Sequence, residues 1–207
     1  MPKQTKSKAA DIAASLRKDE FDVVLLGASD SPAIVNEWMS TGCIALDRIM
    51  GGGLPVGRIT EIHGDTSTGK SLIAAQVAAM GQQEGHIVFM VDTESAVSLP
   101  IMEAVGVDVD DLIYAAPDTV EEVFEEFEKA ILSKAEKYPD DLMIIIWDSV
   151  AGTSSEAEMT KDYGETGYLT HARVISQSMR KIVRLISKNR VCALFLNQIK
   201  ENIGVMF

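Results

Sequence analysis

Cysteine is close to absent from this 207-residue chain: only Cys43 and Cys192 occur, with no CxxC spacing, and the three histidines are scattered. That excludes a disulfide framework and argues against a structural zinc site. Long apolar runs are missing too. No stretch approaches the about eighteen residues that a membrane-spanning helix needs, and the opening MPKQTKSKAADIAASLRKDE is polar, with a helical pattern, where a secretory leader would be apolar. A cytoplasmic protein with no membrane partner is expected. Positive charge is in short supply, with 19 Lys and Arg against 31 Asp and Glu, a net charge of -12. Taken whole, this balance repels nucleic acid and lipid surfaces. Apolar residues are not scarce: at 46% of the chain they exclude wholesale disorder and suffice for one core with a small appendage.

The charge is unevenly spread. Residues 103–128 carry ten carboxylates and no base, whereas residues 171–190 carry six Lys or Arg and no acid. Four short apolar runs read as strands: RITEIHG from Arg58, HIVFMVD from His86, DLMIIIWD from Asp141 and VCALFLNQ from Val191. Helical stretches lie between them, one of which opens with Asp118 three residues before Glu121, a capping-box arrangement. Strands that are apolar on both faces and alternate with helices predict an α/β fold with a mainly parallel sheet flanked by helices. Residues 1–30 read as a separable arm, a helix near 7–20 followed by the strand-like FDVVLLG, and residues 31–207 as the core. The arm cannot bury its apolar face alone. It docks either on its own core or on a neighbouring subunit.

GDTSTGKS, Gly64 to Ser71, fits GxxxxGK[ST] directly after a predicted strand and at the start of a helix. A chance match in a chain this long arises on the order of once in a hundred sequences, and its place between strand and helix argues further against chance. Gly64 and Gly69 let the backbone turn tightly. The N–H groups of Asp65, Thr66, Ser67, Thr68 and their neighbours then face a β-phosphate, aided by the positive end of the following helix. Lys70 neutralises β and γ oxygens, and Ser71 offers a hydroxyl to Mg²⁺. A plain glycine turn would leave Lys70 without a partner at the head of an Ala-rich helix. Asp148, ending IIIWD, suits an acid on the magnesium side, and Asp92 and Glu94 follow another strand. In a parallel sheet these ends share one edge. Glu94 then stands where it can orient or deprotonate an attacking water.

Along 172–188, Ile175, Met179, Ile182 and Ile186 form one stripe, with Arg173, Arg180, Arg184 and Lys188 opposite. Such a stripe is a solvated face or, beside the Gly- and Tyr-bearing TKDYGETGY, a surface for phosphates and bases. The tail KENIGVMF carries Ile203, Val205, Met206 and Phe207, which either pack on the core or, in a DNA-binding loop, supply a wedge between bases.

Together STGCIALDRIMGGGLPVGRITEIHGDTSTGKS, FMVDTESA, IIIWDSVAG, ISQSMRKI and NQIKENIGVMF resemble the bacterial RecA recombinase family, in order and over essentially the whole chain. The resemblance implies a DNA-dependent ATPase that uses ATP and Mg²⁺, forms a helical homo-oligomeric filament on single-stranded DNA and pairs it with homologous duplex DNA. It implies Lys70 and Ser71 as nucleotide and magnesium residues, Glu94 as catalytic glutamate, Asp148 as the magnesium-side aspartate and Gln198 as the sensor of the γ-phosphate. The loop around 160–168, including Tyr168, resembles a first DNA loop, with Arg173, Ser176 and Arg180 matching phosphate-contacting positions. Lys200 lies in what resembles the root of a second DNA loop, with Ile203 at its wedge position. The N-terminal helix resembles an arm that docks on a neighbour, and the resemblance implies that the chain stops inside the second loop.

The chain departs from that pattern at Ser98 and Ile101, where the family has an acid and an aromatic near adenine, at Asp65 and Thr66, where it commonly has proline and glutamate, and at Tyr168 in place of an aliphatic residue. Two rival readings stand beside the recombinase. One is a RadA- or KaiC-like ATPase acting on other partners. The other is a truncated, non-catalytic modulator of full-length filaments.

Overall fold

The computed structural model describes residues 7–29, 31, 33–160 and 168–198, with the backbone alone at 168–170. It divides into two units, Met1–Asn36 and Glu37–Phe207.

In the first unit, helix α1 (Lys8–Lys18) carries Asp11 in its first turn and Arg17 and Lys18 in its last, charges that complement the helix dipole. Ile12, Phe21 and Leu26 are exposed at 63%, 60% and 76%, so this unit leaves these large apolar side chains in water. The expected strand in FDVVLLG does not form. An extended segment needs a partner strand to satisfy its N–H and C=O groups, and it finds none among the described residues.

In the second unit the elements run β1 (Trp38–Met39), α2 (Ile44–Met50), β2 (Leu54–Pro55), β3 (Ile59–Gly64), α3 (Lys70–Gln83), β4 (Ile87–Asp92), α4 (Leu99–Val105), β5 (Ile113–Ala115), α5 (Val120–Lys137), β6 (Met143–Asp148), α6 (Glu156–Met159), α7 (Tyr168–Lys188) and β7 (Val191–Gln198). Five strands form one sheet in the order β3–β7–β6–β4–β5, and every pairing in it is parallel. The four expected strands are all present. The three-residue β5 and the small antiparallel pair β1–β2 went unread because runs this short carry no periodicity.

The sheet is coated on both faces, which is why its strands lack a polar side. Along β6, Ile144 and Ile146 face a cluster with Ala74, Val77 and Ala78 of α3, while Met143, Ile145 and Trp147 face one with Phe124, Phe127 and Ile131 of α5 and Ile182 and Ile186 of α7. The small residues of α3 let that helix lie close to the sheet. A β-carbon on Gly81 would stand 2.2 Å from Ile144 Cδ1. On the other face Phe127 and Phe195 stack at 5.8 Å, and Trp147 meets both edge-on.

The start of α5 corrects the expected cap by one residue. Thr119, not Asp118, accepts from the Glu122 N–H, and Glu122 in turn accepts from the backbone of Asp118 and Thr119. Glu121, the expected partner, instead accepts from the N–H of Glu156. Among the described residues no helix is long and apolar enough to cross a membrane.

Candidate functional site

Parallel pairing brings the carboxyl ends of the strands to one edge of the sheet. Gly64, the last residue of β3, pairs with Gln198, the last of β7, and Asp92 at the end of β4 pairs with Asp148 at the end of β6. The predicted nucleotide residues therefore meet by strand register before any side chain is considered.

From Gly64 the chain turns through Asp65, Thr66, Ser67 and Thr68, all exposed, into α3. Ser67 and Gly69 take positive φ values of 61° and 91°, and Thr68 Oγ1 donates to the Asp65 carbonyl at 2.9 Å. No side chain caps α3, so its first turn presents bare N–H groups to the loop. Hydrogen-bond donors of this kind at a helix N-terminus suit an anion. Lys70 Nζ donates to the carbonyls of Gly64 (3.0 Å) and Asp65 (2.7 Å), which holds the ammonium at the loop.

Ser71 Oγ donates to Asp148 Oδ2 at 2.6 Å. Asp148 is 7% exposed. Burial pushes its carboxyl pKa up, and the neighbouring charges of Glu94 and Asp92 push the same way, against the Ser71 hydrogen bond and the Lys70 charge. A carboxylate so placed accommodates a cation readily. The hard oxygens of Ser71 and Asp148 fit Mg²⁺, which takes few protein groups and leaves its other positions to phosphate and water. Among the described residues no group of three His, Cys, Asp or Glu side chains offers an all-protein cage.

Glu94 sits just past β4. Its Oε1 accepts from Ser149 Oγ in a short hydrogen bond and from Gln198 Nε2 at 2.8 Å. Gly152 closes beneath it, where an added β-carbon would stand 2.7 Å from that same oxygen. Asp92 belongs to the scaffold instead. At 1% exposed, it accepts from the N–H groups of Glu94 and Val97 and from the Tyr114 hydroxyl, which folds the turn that carries Glu94. Burial and the Asp92 charge raise the Tyr114 pKa.

The basic helix α7 follows its predicted faces. Ile182 and Ile186 are buried and Ile175 and Met179 pack beside them, while Arg173, Ser176, Arg180, Arg184 and Lys188 are exposed. Arg180 Nε donates to the Ser176 carbonyl at 3.2 Å. The backbone of Tyr168 opens the helix. Residues 161–167, Lys200 and Ile203 lie outside the described residues. The partners of Glu94 unread in the sequence are Ser149 and Gly152, whose sequence signal was that both follow Asp148.

A five-stranded parallel sheet with a GxxxxGKS turn between its edge strand and an uncapped helix defines an α/β protein of the phosphate-loop class. More particularly, residues 7–207 match the family described as the RecA N-terminal domain, and the chain belongs to that family. It is 38% identical over 206 residues to a protein named Protein RecA from Symbiobacterium thermophilum, covering 98% of this chain and 57% of that protein. To the proteins of that name from Clostridioides difficile and Geobacter sulfurreducens it is 39% and 38% identical over 208 residues, covering 99% of this chain and 58% and 60% of theirs. The chain thus spans less than two thirds of the length of these curated relatives.

Proposed function

We propose that the chain is the nucleotide-binding core of an ATP-dependent DNA recombinase. In this reading it assembles as a helical filament on single-stranded DNA and promotes pairing and strand exchange with homologous duplex DNA. The observation that carries the reading is the hydrogen bond from Gln198 Nε2 to Glu94 Oε1. Gln198 ends the strand that leads toward Lys200 and Ile203, so a change at the acid is passed to that segment. The Gln198 position opposite Gly64 is consistent with a γ-phosphate sensor.

The roles follow from chemistry. The N–H groups from Asp65 to Ser71 cradle phosphate oxygens, and Lys70 offsets their charge. Mg²⁺ would supply positive charge against the negative charge that develops on the phosphate oxygens. Ser71 and Asp148 would hold it. Glu94, fixed through Oε1, turns its other oxygen toward the attacking water to orient it and accept its proton. Arg173, Ser176 and Arg180 take DNA phosphates along one face of α7, and Tyr168, Lys200 and Ile203 belong to the flanking DNA segments. Residues 1–30 act as the arm that docks on a neighbouring subunit, in line with the exposed Ile12, Phe21 and Leu26.

The test is the rate of ATP hydrolysis with and without single-stranded DNA, on this chain and on one extended past Phe207, together with electron microscopy of the DNA complex. Stimulated hydrolysis and regular filaments are expected from the extended chain. Hydrolysis indifferent to DNA, with no filament, would discard the recombinase in favour of an ATPase with other partners.

A further inference from the structure

Beside Glu94 lies a set of buried and half-buried polar side chains that phosphate binding does not use. Trp147 Nε1 donates to Thr153 Oγ1 at 3.2 Å, Thr153 Oγ1 donates to Thr93 Oγ1 at 2.8 Å, and Thr93 Oγ1 donates to the Ser149 carbonyl at 3.1 Å. Trp147 and Thr153 are 0% and 4% exposed. Each hydroxyl thus both accepts and donates, or donates onward, so the chain of bonds is satisfied from end to end. The bonds hold the turn 149–153, which carries the Ser149 hydroxyl to Glu94 Oε1 and the Gly152 N–H to that hydroxyl at 3.2 Å.

The same turn is held by a second contact. His171 Nε2 lies 2.9 Å from the Thr153 carbonyl. A carbonyl only accepts, so this ring nitrogen carries the hydrogen. His171 stands in the first turn of α7, two residues before Arg173 on the basic helix. The connection from Glu94 to that helix is therefore short: the Ser149 hydroxyl, three residues of backbone to Thr153, and one imidazole.

We propose that His171 is a positioning residue that joins the two sites. Its bond to Thr153 makes the placement of the basic helix and the placement of Glu94 one cooperative unit. A polyanion held along Arg173 and Arg180 and a nucleotide held at Lys70 then alter each other's affinity, equally in both directions by linkage. The inference rests on the nucleotide and DNA reading given above and adds the residue that couples its two halves.

The test measures the affinity of the 207-residue chain for a fluorescent oligo-dT, with and without a non-hydrolysable ATP analogue, and separately its affinity for that analogue. In the parent chain the analogue changes oligo-dT affinity by roughly 5- to 150-fold. In His171→Ala the factor falls toward 1 while affinity for the analogue alone is kept. In His171→Gln, whose amide retains an N–H near the Nε2 position, the factor returns. A purely structural role would instead shift the urea midpoint and both affinities together. An unchanged factor in His171→Ala overturns the inference, as does a factor lost equally in His171→Gln with the parent urea midpoint. A parent chain that binds the analogue without any coupling also overturns it and leaves the nucleotide reading standing. A chain that binds no analogue overturns that reading as well.

Discussion

Glu94 receives both of its donors, Ser149 Oγ and Gln198 Nε2, on the single oxygen Oε1. A glutamine in its place keeps an acceptor for both but cannot take a proton from water. Glu94→Gln is therefore expected to bind ATP with parent affinity and to turn over about 10²- to 10⁴-fold more slowly, as read by single-turnover hydrolysis beside equilibrium nucleotide binding. Lys134 shows the opposite kind of buried charge, one that serves the fold. It is 3% exposed and donates to the carbonyls of Pro139 and Asn189 at 3.2 and 3.0 Å, binding the end of α5 to the end of α7. Burial first, and the Arg190 charge second, lower its pKa below the ordinary lysine value of 10.5, with Asp141 and Asp140 opposing. In Lys134→Met two carbonyls lose their donor, a cost of about 1–3 kcal/mol. A cation with a lowered pKa in the fold weakens the folded state at low pH, and the penalty fades as pH rises past the folded value toward that of the unfolded chain. The stability of the parent chain relative to Lys134→Met should thus grow with alkalinity toward pH 10.5, a trend that paired urea titrations would show.

At the scale of elements, caps and faces decide more than propensity. The box between Thr119 and Glu122 starts α5. Thr119→Ala should therefore cost about 1 kcal/mol, while Asp118→Ala, which keeps the backbone donor to Glu122, should change the urea midpoint little. Helix α7 is amphipathic in the strict sense, with Ile182 and Ile186 in the core and Arg173, Arg180 and Arg184 in water. Arg180→Ala should weaken oligonucleotide binding across all sequences and reduce the slope of log affinity against log salt by roughly 1. An unaltered slope would make the stripe a solvated face. Helix α3 is set by its small side chains instead, since Gly81 leaves no room for a β-carbon beside Ile144.

On the scale of the whole molecule, one parallel sheet carries the phosphate loop, the acids and the polar end of β7 on a single edge. The first unit, Met1–Asn36, is a compact unit in itself. Removing residues 1–36 should leave the far-UV circular dichroism and melting of the core near those of the parent and abolish assembly on single-stranded DNA, as read by sedimentation. Assembly that survives the deletion would place the subunit contact elsewhere.

The sequence alone determined the phosphate loop from Gly64 to Ser71, four of the five sheet strands, the place of Asp148 and Glu94 at strand ends and the two faces of α7. These are local properties, written as spacing and period along the chain. The position of Gln198 beside Glu94, the shift of the α5 cap to Thr119, the diversion of Asp92 to folding its own turn, and the meeting of Thr153 with His171 were decided only in three dimensions. Each depends on strand register or on residues distant in the chain, and a pattern read along one strand or helix has no access to its neighbour. For the same reason FDVVLLG reads as a strand and is none: its apolar run was legible, but the absence of a partner strand among the described residues was not.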